Sequence, residues 1–284
     1  MSELESSENL IGENKVNIHD FADVSPKAEL GKGVYVGSGA VIGPDVIVGP
    51  NTWIGPNVII EGRVKIGSNN KIFPGACIGL EPQDLKYKGD PTEVSIGDNN
   101  TFRECVTINR ATFEEEKTII GNQNLLMAYS HLGHNCEIGN NVVIANSVQI
   151  AGHVVVEDRA VIGGCLGIHQ FVHIGYLAMV GGMTRVDRDV PPYCLAEGHP
   201  GRIRGLNKVG IKRNNIDKDN KEEYLQLKKV WNLLFKSEYV ISEVLRIVRK
   251  DDLMLSSERL CGFIELSIGR GRRGLMPSLM LNNK

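Results

Sequence analysis

The chain has 284 residues and a formal net charge of −2, enough for one large domain or two ordinary ones and too few excess basic groups for a primary nucleic-acid role, which rests on neutralising phosphates. Hydrophobic residues make up 42% and aromatics 6%, so the core is expected to be aliphatic rather than ring-packed. No apolar segment of about 18 residues is present to span a bilayer, and the six cysteines are scattered without a CxxC pair, which fits a cytoplasmic chain with free thiols.

A polar, acidic tail covers residues 1–16. From Ile18, stepping by six reaches Val24, Leu30, Val36, Ile42, Val48, Ile54, Ile60, Ile66, Ile72 and Ile78. The register resumes at Ile96, Phe102 and Ile108, and then runs from Ile120 to Val186. Within it only Asp84, Asp90 and Glu114 are not large and apolar. A helical period of 3.6 cannot generate this, and strand alternation would not single out every sixth site. The pattern is that of a hexapeptide β-helix, a mainly β solenoid with one hexad on each side of a triangular coil. The domain is expected over 17–200. Each aliphatic residue points inward and stacks on its equivalent 18 residues later, with coils about 4.8 Å apart. Asn51, Asn57, Asn140 and Asn141 suit corners that need positive φ.

Two stretches break the repeat. LEPQDLKYKGDPTEVS (80–95) and RATFEEEKT (roughly 110–118) read as loops leaving the prism, where binding groups tend to sit. Beyond Pro191-Pro192 the periodicity becomes helical. Tyr224, Leu227, Trp231 and Leu234 share one face over 221–235, and Val240, Val244, Ile247 and Val248 another over 238–250. A small C-terminal α-helical domain is therefore expected over 201–284. Residues 206–284 hold 16 Lys+Arg against 10 Asp+Glu, a basic balance suited to an acidic partner or to a solvated face.

The coil length turns sequence separation into position. His134 and His153 are 19 apart and fall on adjacent coils. Gln170, 17 beyond His153, continues the column with His169 beside it, and His131 precedes His134 on its own coil. This cluster has three readings: surface histidines on a polar face, a zinc site of the kind found in trimeric γ-type carbonic anhydrases, or a general base with binding neighbours.

The segments IGLEPQDLKYKGDPTEVSIGDNN (78–100), FRECVTINR (102–110), GNQNLLMAYSHLGHNCEIGNN (121–141), ANSVQIAGHVVVEDRAVIGG (145–164), GIHQFVHIG (167–175) and DVPPYCLAEG (189–198) resemble the bacterial UDP-N-acetylglucosamine O-acyltransferases that start lipid A synthesis, over nearly the whole chain. The order QDLKY, HxxHxC, AGHV, HQF is much more specific than the hexad, which acyltransferases with other substrates share. The resemblance implies a left-handed β-helix, an exception to the usual crossover hand. It also implies a homotrimer with sites between subunits and no cofactor. The implied reaction moves a 3-hydroxyacyl group from acyl carrier protein, a strongly acidic partner, to the 3-hydroxyl of UDP-N-acetylglucosamine.

On this resemblance His134 would be the general base and the Gly152 N–H the oxyanion donor. His153 and Gln170, with His169 beside them, would contact sugar and acyl groups, and His131 the nucleotide-sugar or acyl hydroxyl region. Asp84 and Lys86 would reach the substrate from a neighbouring subunit. Asn207 and Arg213 match positions near the acyl donor or nucleotide. Gly182 matches the place where side-chain bulk limits acyl length, and a glycine there leaves room for a long chain. Two departures stand out: Asn135 replaces an aspartate that often follows the catalytic histidine, and Asn214 replaces the second of two arginines. A related acyltransferase acting on another sugar nucleotide, including the N-acyltransferase with an added N-terminal uridine-binding domain, and the zinc enzyme are the alternatives.

Overall fold

The computed structural model describes residues 15–269 and 271–279; the tail expected over 1–16 lies almost wholly outside them. Strands of two to five residues sort into three sheets of eleven, nine and eight strands. Successive strands visit the first, second and third sheet in turn, so the chain winds a triangular prism, a left-handed β-helix. Pairing along each face is parallel: His131 partners Gln149, and Gln149 partners Gly167.

The inward column is the expected one. Val36, Ile54, Ile72, Phe102, Leu126, Ile144, Ile162 and Val180 are completely buried on the first face alone. Backbone bonds tie each coil to the next, as in Gly133 N–H to Ile150 C=O at 2.8 Å. Polar ladders reinforce the corners. Asn70, Asn100 and Asn124 are buried, and each Oδ1 accepts a backbone N–H from the next coil at 2.7–2.9 Å. Each such bond contributes about 1 kcal/mol.

Corners demand left-handed backbone. Asn51, Asn57 and Asn141 adopt positive φ as expected, but Asn140 does not. Its Oδ1 instead accepts the Asn122 N–H at 2.8 Å, extending an outer ladder to Asp158. From Gln123 to Met183 every sixth residue is left-handed whatever its type, including Tyr129, His153, Phe171 and Leu177.

The two breaks are loops. Lys71 pairs with Thr101, 30 residues on, and Thr107 with His131, 24 on, instead of 18. The first loop follows the strand Cys77–Leu80 and ends at Glu93–Ile96; the second lies between Thr107–Asn109 and Lys117–Ile120.

The last strand departs from the all-parallel pattern. Arg202–Leu206 folds back antiparallel on Cys194–Glu197. Helices follow: α1 (Lys208–Arg213), α2 (Ile216–Asp219), α3 (Lys221–Lys236), α4 (Ile241–Val248) and α5 (Leu255–Ser267). In α3, Leu227, Trp231 and Leu234 are buried as their spacing predicts. In α4 the buried set is Val244, Leu245 and Val248, whereas Val240 and Ile247 are exposed; the helix is rotated so that Leu245 takes the inner position. Helix α5 buries Ser256, Ser257, Leu260, Cys261, Phe263, Ile264 and Ser267. Its serines break the apolar stripe that would have announced it. These helices share one continuous core with the last coils. No helix among the described residues is long and apolar enough to cross a membrane.

Ile54 is fully buried and remote from the histidine coil. Ile54→Ala is expected to destabilise the prism by about 3 kcal/mol through lost burial and a residual cavity, read as a lower midpoint in thermal unfolding followed by circular dichroism.

Candidate active site

His134 lies in the turn between His131–Leu132 on the second face and Glu137–Ile138 on the third, and is 7% exposed. Coil stacking fixes its neighbours. The His153 N–H donates to the His134 carbonyl at 2.9 Å, and the two rings meet edge to face with centroids 5.0 Å apart. His153 stacks in turn on Phe171 at 4.8 Å.

The hydrogen-bond network sets the tautomer of His134. Asn135 donates from Nδ2 to Glu116 Oε2 at 2.7 Å. Its Oδ1 accepts the Thr112 backbone N–H at 3.1 Å and faces His134 Nδ1 at 2.9 Å. An amide oxygen cannot donate, so Nδ1 carries the proton. Thr112 Oγ1 donates to Asp84 Oδ2 at 3.3 Å and accepts from the same Nδ1–H at 2.9 Å. The Nε2 lone pair is thereby left for chemistry.

A cavity of about 300 Å³ adjoins His134, lined also by Gln83, Asp84, Asn109, His131, Gly152 and Gln170. A methyl on Gly152 would fall 2.4 Å from His134 Nε2, so a glycine is required for the ring to occupy this place. Among the described residues no acceptor takes the Gly152 N–H. Asn109 is 6% exposed; its Nδ2 donates to the Glu81 carbonyl at 2.9 Å, while its Oδ1 has no partner among the described residues and can accept a ligand hydroxyl.

Asp84 Oδ2 lies 3.8 Å from His134 Nε2. The Lys86 backbone N–H, at 3.0 Å from Oδ1, is the main cause holding the Asp84 carboxyl below the ordinary carboxylate range. Burial opposes it, and His134, the Thr112 hydroxyl and the Lys86 charge assist. Within one chain, Asp84 stands against the His134 of the same chain. The strand Cys77–Leu80, where its loop departs, stacks two coils before His131–Leu132 on the same face, so the loop climbs along its own prism.

Six other expected positions do not line this cavity. His153 touches His134 from behind it. Lys86 contributes its backbone N–H to Asp84. His169 is exposed, with Nδ1 turned 3.1 Å from the Gln170 carbonyl. Gly182 lies over Gly164 of the preceding coil, where an added methyl would stand 3.3 Å from the Gly164 carbonyl. Asn207 and Arg213 line a separate cavity of about 820 Å³ on the first face, with Arg159, Arg204, Lys208 and Trp231. The Asn207 amide is already engaged: Oδ1 caps α1 at the Gly210 N–H and Nδ2 donates to the Leu177 carbonyl, each at 2.9 Å. Asn214 donates to the Gly210 carbonyl and accepts from the Arg159 guanidinium. A cation from the coil thus stands where the second arginine is missing.

Sequence reasoning did not find Thr112, Glu116, Asn109, Gln83 or Phe171. Phe171 was within reach of the stacking arithmetic, being 18 residues after His153. Among the described residues no group of three or more His, Cys, Asp or Glu is placed to hold a metal ion.

His131 Nδ1 lies 2.7 Å from Thr107 Oγ1. Burial first, then the nearby His134, pushes the His131 pKa down, and burial first and His134 next do the same to His153. Depressed folded values favour the neutral rings. Their contribution to stability is intact above the ordinary value of 6.5 and is lost as pH falls through the lower folded values. Ring NMR from about pH 8 to about pH 4, beside thermal unfolding, is expected to show both rings titrating below 6.5 and stability falling in that window.

The family described as Udp N-acetylglucosamine O-acyltransferase, domain 2, matches residues 189–276, and bacterial transferase hexapeptide repeats match 45–79 and 117–152. The chain is 51% identical to an acyl-(acyl-carrier-protein)–UDP-N-acetylglucosamine O-acyltransferase of Gloeothece citriformis, covering 77% of this chain and 79% of that one. It is 50% identical to that of Helicobacter pylori over 70% and 74% of the respective chains. The solved UDP-N-acetylglucosamine acyltransferase from Campylobacter jejuni superposes with a TM-score of 0.84 at 34% identity, over 92% of this chain and 99% of that one. A shared order of motifs, a shared fold over nearly the full length and this level of identity place the chain in the UDP-N-acetylglucosamine O-acyltransferase family.

Proposed function

We propose that the chain transfers a 3-hydroxyacyl group from acyl carrier protein to the 3-hydroxyl of UDP-N-acetylglucosamine, the first step of lipid A biosynthesis, without a cofactor. The observation that carries this reading is His134, protonated at Nδ1 by its network and presenting Nε2 beside the unpartnered Gly152 N–H. His134 Nε2 takes the sugar hydroxyl proton as that oxygen attacks the thioester carbonyl. The Gly152 N–H stabilises the oxyanion. Collapse of the tetrahedral intermediate breaks the carbon–sulfur bond, and Nε2–H returns the proton to the departing carrier thiolate. Asp84, 3.8 Å from Nε2, balances the imidazolium and offers an acceptor to the sugar, as does Asn109 Oδ1.

Gln170 lines the cavity and borders the sugar and acyl path, and His153 supports that path through its contact with the His134 ring. The glycine at position 182 leaves room for a long chain farther along the prism. The six cysteines are free, in keeping with work in the cytoplasm. The excess of basic residues after 206 suits docking of an acidic carrier.

The same reading includes a homotrimer. The His134 turn is at the edge between the second and third faces, whereas Asn207 and Arg213 border a cavity on the first face, across the prism. The two cavities share no lining residue. A threefold arrangement, with the first face of one prism beside the histidine edge of the next, supports a shared site.

The direct test is a transferase assay with UDP-N-acetylglucosamine and hydroxyacyl carrier proteins of graded length; absence of product with every donor would end the proposal. His134→Ala is expected to lower kcat at least about 100-fold, and Gly152→Ala, by displacing the ring, to lower it by a comparable factor. Mixed oligomers of His134→Ala and Arg213→Ala chains are expected to regain activity that neither variant has alone. Recovery absent from verified mixed oligomers would place each site within one chain.

A further inference from the structure

Asn135 stands where an aspartate would pair with His134, and it leads to a carboxylate one residue further away. Glu116 is half-buried in the second loop. Its Oε2 accepts from Asn135 Nδ2 at 2.7 Å and from the Phe113 N–H at 3.3 Å. Asn135 is fixed from the other side, its backbone left-handed at φ 60° and its N–H donating to Thr118 Oγ1 at 2.9 Å. Its Oδ1 faces the His134 Nδ1 proton at 2.9 Å. The order is carboxylate, amide, imidazole, with each N–H pointing toward the negative end.

We propose that Glu116 is a positioning residue for the acyl-transfer reaction, acting on His134 through the Asn135 amide. Donation of Nδ2 to a carboxylate shifts electron density within the amide toward Oδ1, which strengthens its hold on Nδ1–H. The network selects the tautomer with Nε2 unprotonated, holds the ring against Gly152, and stabilises the imidazolium formed when the sugar hydroxyl gives up its proton. Two residues thus do what one carboxylate bonded directly to Nδ1–H would do. The proposal rests on His134 being the base. Asp84 does not make Glu116 redundant, because it faces Nε2, on the substrate side, and Glu116 works at Nδ1. The remaining groups around the ring are His131 on the same coil and His153 on the next, with Lys86 of the first loop acting on Asp84 and His153.

The test exchanges the two members of the pair in the full-length enzyme and follows kcat/KM for acyl transfer against pH. Glu116→Gln is expected to lower kcat/KM about 10-fold, the low end of the effect of losing the outer-shell partner of a metal-ligating histidine, taken as a guide for this imidazole. It is also expected to move the acid limb of the profile down by roughly half a unit, because a negative charge near the imidazole is removed. Adding Asn135→Asp to Glu116→Gln sets a carboxylate directly on Nδ1–H and an amide behind it, which still hydrogen-bond each other in the reverse sense. The double variant is expected to recover to within about threefold of the parent and to restore the acid limb. A Glu116→Gln enzyme within twofold of the parent and unmoved in pH overturns the proposal. So does a loss that the double variant does not recover, since that marks a purely structural bond. Parent enzyme without transferase activity, or full activity in His134→Ala, would instead overturn the underlying base assignment.

Discussion

Everything in this molecule depends on one repeated constraint: each hexad must bring an aliphatic side chain inward and then turn the chain through a corner. The backbone meets the second requirement with a left-handed residue, at a typical cost of about 1 kcal/mol or more when the residue is not glycine. Tyr129, His153, Phe171, Leu177 and Met183 all accept that conformation. They do so because coil-to-coil hydrogen bonds and the buried aliphatic column over-determine the path. A corner side chain is therefore directed by the scaffold, and successive corners stack. Asn135, His153 and Phe171 are three such residues at 18-residue intervals. The proposed chemistry sits on this edge, with His134 immediately before the first of them.

What the amino acids revealed follows the same division. The aliphatic register was legible because periodic burial leaves a periodic signature, and stacking arithmetic correctly brought His134 and His153 together. The loops carry no such signature. Thr112 bonds His134 directly and Glu116 reaches it through Asn135, both from the second loop. Asn109, at the end of the strand before that loop, is held by the Glu81 carbonyl of the first; spacing cannot forecast these bonds. Asn207 shows the reverse case. Its motif position suggested ligand binding, yet its amide also closes the first turn of α1 and holds Leu177. In α4, helical spacing identified the element but not its rotation, which tertiary packing of Leu245 decides.

The two loops and the histidine edge divide the electrostatic work. Asp84 and Glu116 approach His134 from separate coils and address different ring nitrogens. Rigid strands beneath them keep these approaches from drifting, which is how a loop can hold catalytic geometry to a fraction of an ångström. Thr112 joins the two sides, bonded at once to Asp84 and His134. A change on one side is thus felt on the other through one hydroxyl.

The two ends of the prism are unlike. At one end Arg202–Leu206 reverses direction, and α3 and α5 pack into the core beside the last coils. At the other, Asn17–Ile18, Asp23–Val24 and Glu29–Leu30 are each hydrogen-bonded to a strand on one side only among the described residues, with Phe21 79% exposed. A parallel ladder whose side is unpaired among the described residues is a template. Extra turns could be grafted beneath Asn17 in the existing register, lengthening the solenoid by about 4.8 Å per added coil, while the antiparallel strand forbids the same extension at the opposite end. Growth in that direction leads away from the proposed reaction site.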